Sequence, residues 1–108
     1  MKQVTLTIGH NVGNGERVAW THEDVVTLVS EALALEGLTA YEVAGMWQGK
    51  RESSTRIEVI AGEEEAARIV GLVPLISYQL AQEAIACEVR ESATEFVPAW
   101  KPASIRTA

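Results

Sequence analysis

The chain has 108 residues, 47 % of them apolar and 22 % charged, with a formal net charge of −6. That composition excludes a disordered body and describes one domain, and the acidic balance disfavours nucleic acid and anionic membranes, whose phosphates it cannot neutralise. A lone cysteine, Cys87, excludes an internal disulfide and a CxxC metal site and fits a reducing compartment.

Lys2–Ile8 alternates, with Val4, Leu6 and Ile8 on one side and Gln3, Thr5 and Thr7 on the other, which predicts a half-buried strand. No apolar run has the form of a signal-peptide core or reaches the ~20 residues of a membrane span. A cytoplasmic protein is therefore expected. Gly9–Val18 is rich in glycine and asparagine and reads as a flexible loop.

Thr21 has the chemistry of a helix N-cap, with Glu23 and Asp24 at the positive end of the dipole and Trp20 placed to staple onto Val25. Val25, Leu28, Val29, Ala32 and Leu33 then recur at helical spacing, and Gly37 is a natural stop, so a helix over His22–Glu36 is predicted. Leu38–Trp47 and Thr55–Ala61 are β-prone arms around the polar stretch Gln48–Ser54, predicting a hairpin with a long or bulged loop.

Gly62 breaks the second arm, and Glu63-Glu64-Glu65 opens another helix. Gly71 and Pro74 interrupt it. Proline is costly inside a helix and welcome in a first turn, so one helix to about Leu72 and another from Pro74 to about Gln82 are expected, with a single kinked helix as the alternative. Ala84–Glu91 alternates again, with Ile85, Cys87 and Val89 inward. Residues 92–108 carry Phe96 and Trp100 but no period and form an extended C-terminal tail after a domain spanning 1–91.

The resulting order, β-α-β-β-α(α)-β, is the split-βαβ or ferredoxin-like arrangement of the α+β class: a four-stranded antiparallel sheet with helices on one face and the first and third strands at its centre. Thr5, Thr7, Arg56, Glu58, Glu88 and Arg90 fall on the opposite face, which is either solvated or paired with another subunit.

Candidate sites are sparse. Gly9–Gly15 matches neither GxGxxG nor GxxxxGK[ST], so it is a connection or a ligand- or partner-binding loop with His10 and Asn11 as polar heads. His10 and His22 are the only histidines, too few with one core cysteine to build a zinc site. His22 reads as a surface residue, Cys87 as a small hydrophobe, and no catalytic triad is present; no metal or other cofactor is expected. Lys50-Arg51, the only adjacent basic pair, sits on the hairpin tip and suits an anionic ligand or solubility. Trp47 reads as a core-edge residue with an interface anchor as the alternative.

Gly37-Leu38-Thr39, five residues, Gly45, one residue and Trp47, followed by Arg51-Glu52-Ser53, resembles the GLT-x5-G-x-W segment of a small bacterial family known only as a domain of unknown function. That resemblance implies a fold and no activity. A weaker one, through Gly37–Val43, is to PII-type signalling proteins, whose long ligand loop between the middle strands has no counterpart here. The reading favoured is a small non-enzymatic protein of unknown role that self-associates and binds a protein or small ligand. The alternatives are a small-molecule enzyme of the dimeric ferredoxin-like type, using His10, Asn11 and Trp47, and an accessory protein of a phage or mobile element. The enzyme reading requires a cavity beside His10 and a His10 turned away from bulk solvent.

Overall fold

The computed structural model describes residues 1–12 and 17–100. Gly13 and Gly15 of the glycine-rich segment, and the tail beyond Trp100, lie outside the described residues. The elements run β1 (Lys2–Gly9), β2 (Asn11–Val12), β3 (Arg17–Val18), α1 (His22–Ala32), β4 (Thr39–Trp47), β5 (Lys50–Ala61), α2 (Glu63–Gln79) and β6 (Ala86–Glu91). The main sheet has the order β4-β5-β1-β6, every pairing antiparallel. The chain is α+β, and this order is compatible with the ferredoxin-like arrangement expected, with the first strand central.

Period-two alternation sends Val4, Leu6 and Ile8 of β1, and Ile57, Val59 and Ala61 of β5, to the face that both helices cover. Val25, Val29 and Leu33 from α1, and Ala66, Ile69, Val73, Ile76 and Leu80 from α2, close the core over them. Burying each large side chain contributes ~1.5–3 kcal/mol. Two polar contacts lock the helices together. The Trp20 indole N–H donates to the Leu80 carbonyl at 2.8 Å, and Arg68 donates to the Leu33 carbonyl at 2.6 Å. Each satisfies a carbonyl at a helix C-terminus, where intrahelical partners run out.

α1 begins as expected: Thr21 Oγ1 accepts from the Asp24 amide, and the Asp24 carboxylate accepts from the Thr21 amide. Its end is different. The stop is at Ala34, with φ of 51°, rather than at Gly37. The Ala34 amide reaches the Glu31 carbonyl and the Leu35 amide the Ser30 carbonyl, the paired bonds of a Schellman cap. α2 ends identically through Ala81, φ 52°. The cap bonds hold a conformation that alanine adopts reluctantly.

α2 is a single helix through Pro74, which corrects the expected division at Gly71–Pro74. Proline removes one backbone bond, to the carbonyl of Val70. Pro74 and Val70 are both exposed, so water is available to that carbonyl, while Ile69, Val73, Ile76 and Leu80 stay in phase on the buried side.

The hairpin is also tighter than the polar stretch suggested. Trp47 pairs with Lys50, and Gln48 and Gly49 alone form the turn, with φ of 50° and 78°. Left-handed values at both central residues are those of a type I′ turn. Residues 50–54 therefore belong to β5, whose twelve residues run on past the helices.

Gly9–Val18 is not a simple loop either: Asn11 pairs with Val18 and Val12 with Arg17. Cys87 and Val89 lie opposite Leu6 and Val4, on the helix side of the sheet, yet both are exposed, because β6 is an edge strand that the helices cover incompletely. Cys87 is therefore not a core residue.

Candidate functional site

Two cavities meet at the end of the sheet where β4 and β5 overhang the helices. The larger is an open cleft of about 1230 Å³ on the helix side, and His10 and His22 stand in its wall. His10 follows directly on β1, and its backbone is fixed from both sides. Its amide donates to the Ser53 carbonyl at 3.0 Å, and its carbonyl accepts from the Ala19 and Trp20 amides at 2.9 and 3.1 Å. Only 3 % of its surface is exposed.

His10 Nε2 lies 2.7 Å from Thr55 Oγ1, and His22 Nδ1 lies 2.9 Å from the same oxygen. A hydroxyl has one proton to give. The hydroxyl can also accept twice, so at most one of the two rings accepts from Thr55 and at least one donates to it, and the ring tautomers are coupled through this oxygen. Burial pushes the His10 pKa below its ordinary value; Glu42 opposes that shift, and the neighbouring His22 adds to it. The Glu42 carboxylate is 3.9 Å from His10 Nδ1, beyond a direct hydrogen bond.

His22, expected at the surface, is thus half-buried and joined to His10 through β5. The helix N-terminus that its neighbours signalled is what aims it there. Thr55 and Glu42 were not singled out from the sequence. A threonine in a β-prone arm carries no local mark of a buried bridge between two rings.

Glu52 is the other residue that sequence reasoning passed over. A Cβ built on Gly9 would fall 2.5 Å from its carboxylate oxygens, so the carboxylate lies across the bare backbone of β1. From there it borders both cavities. Gly9 is the signal that was available: a glycine inside a strand marks close approach by another group.

The remaining candidates divide. Asn11 borders both cavities, and its carbonyl accepts from the Gln82 side chain at 3.1 Å. Arg51 borders the His10 cleft, whereas Lys50 lines neither cavity. Trp47 is not a core-edge residue. It points to the opposite sheet face, is 41 % exposed, and donates its indole N–H to Glu83 at 3.2 Å beside the smaller cavity of about 200 Å³. Both helices lie on the other face of the sheet, so the core does not reach it. His10 and Trp47 therefore sit on opposite sides of the sheet. Among the described residues, no group of three or more His, Cys, Asp or Glu side chains is arranged to hold a metal ion, and no helix is long and apolar enough to cross a membrane.

No family model matches the sequence, and no curated protein matches it. Several solved structures share the fold. A phage SAM lyase in complex with S-methyl-5′-thioadenosine superposes with a TM-score of 0.68 at 21 % identity, covering 83 % of this chain and 80 % of that one. A phage SAM lyase in the apo state gives 0.62 at 17 % identity over 94 % and 92 %. A DUF3240 family protein from Shewanella baltica, a member of a small uncharacterised domain family, gives 0.63 at 10 % identity over 91 % and 97 %.

Proposed function

We propose that the cleft beside His10 binds S-adenosylmethionine and releases S-methyl-5′-thioadenosine from it. The observation that carries this reading is the wall of the cleft: Glu23 and Glu42 line it, with Glu52 at its border, against a single guanidinium, Arg51, beside the apolar bodies of Trp20, Val18 and Met46. Such a wall favours a cation with a large apolar or aromatic part. A sulfonium attached to adenosine is such a cation, and the fold shared with the phage lyase supports the choice. The Cγ–S bond of the sulfonium breaks with its electron pair left on sulfur, discharging the cation, while the substrate's own carboxylate oxygen bonds Cγ and closes a lactone, so the step balances without a cofactor or an added nucleophile. Glu52 and the His10–Thr55–His22 chain are the groups available to accept or hold a proton.

The test is to incubate the purified chain with S-adenosylmethionine, follow S-methyl-5′-thioadenosine by chromatography, and titrate both compounds calorimetrically. The cation is expected to bind more tightly than the neutral thioether, and Glu52→Gln is expected to weaken that preference. Absence of both binding and product at millimolar ligand would overturn the reading. The two phage structures also support a role as an accessory product of a phage or mobile element.

A second reading, a self-associating binding protein, is supported by a different surface. From Ile69 to Gln82 the chain has no charged residue, although half of that helix faces outward. A homo-oligomer that covers this face explains the composition.

A further inference from the structure

α1 and α2 lie on the same sheet face but present different outer surfaces. α1 shows Glu23, Asp24, Thr27 and Glu31 to solvent. α2 shows Ala67, Val70, Gly71, Pro74, Leu75 and Tyr78, a second apolar stripe at helical spacing, on the side away from the core. Tyr78 is 83 % exposed and Leu75 48 %. A helix that is apolar on both sides is one that is covered on both sides.

The same chain carries a segment of matching chemistry. Ser92–Trp100 leaves β6 after the Ser92 amide bonds the Met1 carbonyl at 2.8 Å, and it forms no helix or strand. Its only charge is Glu95, and Phe96, Val97 and Trp100 are 72 %, 77 % and 82 % exposed. The protein measures 61 × 25 × 22 Å with a radius of gyration of 17.1 Å, against about 13 Å for a compact domain of this length. Among the described residues, the arm's apolar side chains and the outer side of α2 are both exposed, so neither covers the other.

We propose that Ser92–Trp100 of one copy lies along the outer apolar stripe of α2 in a second copy, with Phe96 and Trp100 as its anchors. This rests on the self-association proposed above and specifies its mode. The lengths agree: α2 has seventeen residues, or about 25 Å of helix, and an extended nine-residue arm spans up to about 30 Å. The charges agree as well, since neither surface carries a basic residue that would draw it to an anionic lipid headgroup. Each copy offers one arm and one stripe, so a two-fold pair satisfies both at once. Tryptophan and phenylalanine on an uncharged helix face are the residue types that anchor such contacts.

The full chain is examined by sedimentation velocity over a range of concentrations, together with the double variants Phe96→Ser/Trp100→Ser and Leu75→Lys/Tyr78→Lys. All four side chains are at least half exposed or nearly so, and circular dichroism verifies that both variants keep the fold. The full chain is expected to assemble, and each double variant to self-associate on the order of 100-fold more weakly. Mixing the two variants is expected to restore a weaker heterodimer, because the intact arm of one meets the intact stripe of the other. Assembly that survives Phe96→Ser/Trp100→Ser overturns the arm while leaving self-association standing. A full chain that is monomeric at every concentration overturns both, and flotation of that monomer with phosphatidylcholine vesicles would assign the stripe to a lipid surface instead.

Discussion

The end of the sheet that holds His10 and the outer side of α2 are opposites in how they spend polar and apolar groups. At the His10 end a few polar side chains are withdrawn from water and bonded to one another: Thr55 bridges two imidazoles, and Glu52 lies on the glycine of a central strand. On the outer side of α2 apolar side chains are exposed, with none of the described residues over them. Removing a partner in the first region strands a buried group; adding a charge in the second strands nothing within the monomer. The same chemical change is thus expected to be costly in one place and nearly silent in the other.

The largest effect should come from Thr55→Val, which keeps the shape of the side chain and leaves ring nitrogens of His10 and His22 unpartnered. Urea denaturation is expected to show a loss of about 2–4 kcal/mol, since each buried orphan costs on the order of 1–3. A loss below the error of the measurement would mean that water replaces the hydroxyl and that the network is not a dry one.

Protonation of His10 disturbs the same network without removing an atom. Burial lowers its folded-state pKa below the ordinary value of 6.5. The unfolded chain therefore binds the proton more readily between those two values, and stability falls as pH drops below about 6.5 and is fully present above it. Denaturation midpoints measured from pH 8 to pH 5 should show that fall, and His10→Gln should flatten it. Glu65 and Glu91, whose carboxyls are held low by Arg68 and Lys2, lose stability as well, but only in the more acid range of carboxylates.

Replacing Ala34 or Ala81 by glycine removes the left-handed strain at each helix end while keeping the cap bonds, and thermal unfolding should register a gain of about 0.5–1 kcal/mol per site. The smallest effect belongs to Leu75→Lys. At protein concentrations low enough for a monomer it should change stability by less than about 0.5 kcal/mol, in contrast to Thr55→Val. A large loss would show that the outer stripe is covered within its own chain.

Much of the scaffold was legible because it follows from periodicity. Val4, Leu6 and Ile8, and Val25, Val29 and Leu33, announce their faces by spacing alone, and Thr21 announces its cap by side-chain chemistry. The misreadings came where tertiary burial overrode a local signal. Pro74 sits on the outer side of a helix whose inner stripe continues beneath it, and Ala34 ends a helix because its cap bonds outweigh alanine's preference. Lys50–Ser54 looked like a loop because the strand there has left the helices and no apolar alternation is demanded of it. Cys87 has the right side of the sheet and the wrong burial, since alternation says which way a residue points and not whether anything covers it. The cleft was half visible. His10 stood out by type, while Thr55, Glu42 and Glu52 are ordinary residues made notable by what the fold brings to them.

The central strand carries a consequence for how the molecule forms. β1 is flanked by β5 and β6, so Lys2 meets both Ala61 and Glu91, partners some 60 and 90 residues along the chain. β1 precedes both of its partners in the chain and is completed only when the later of them, β6, is in place. The β4–β5 hairpin, closed by Gln48-Gly49, can form locally within about 1–10 μs, but the sheet waits on long-range closure, and such topologies fold slowly. Until β6 arrives, β1 offers a bare row of amides and carbonyls beside Val4, Leu6 and Ile8, which is a template for pairing with another chain. A product cut short before Ala86 is therefore expected to aggregate rather than to persist as a smaller domain, and the sheet's own middle is the point from which it would do so.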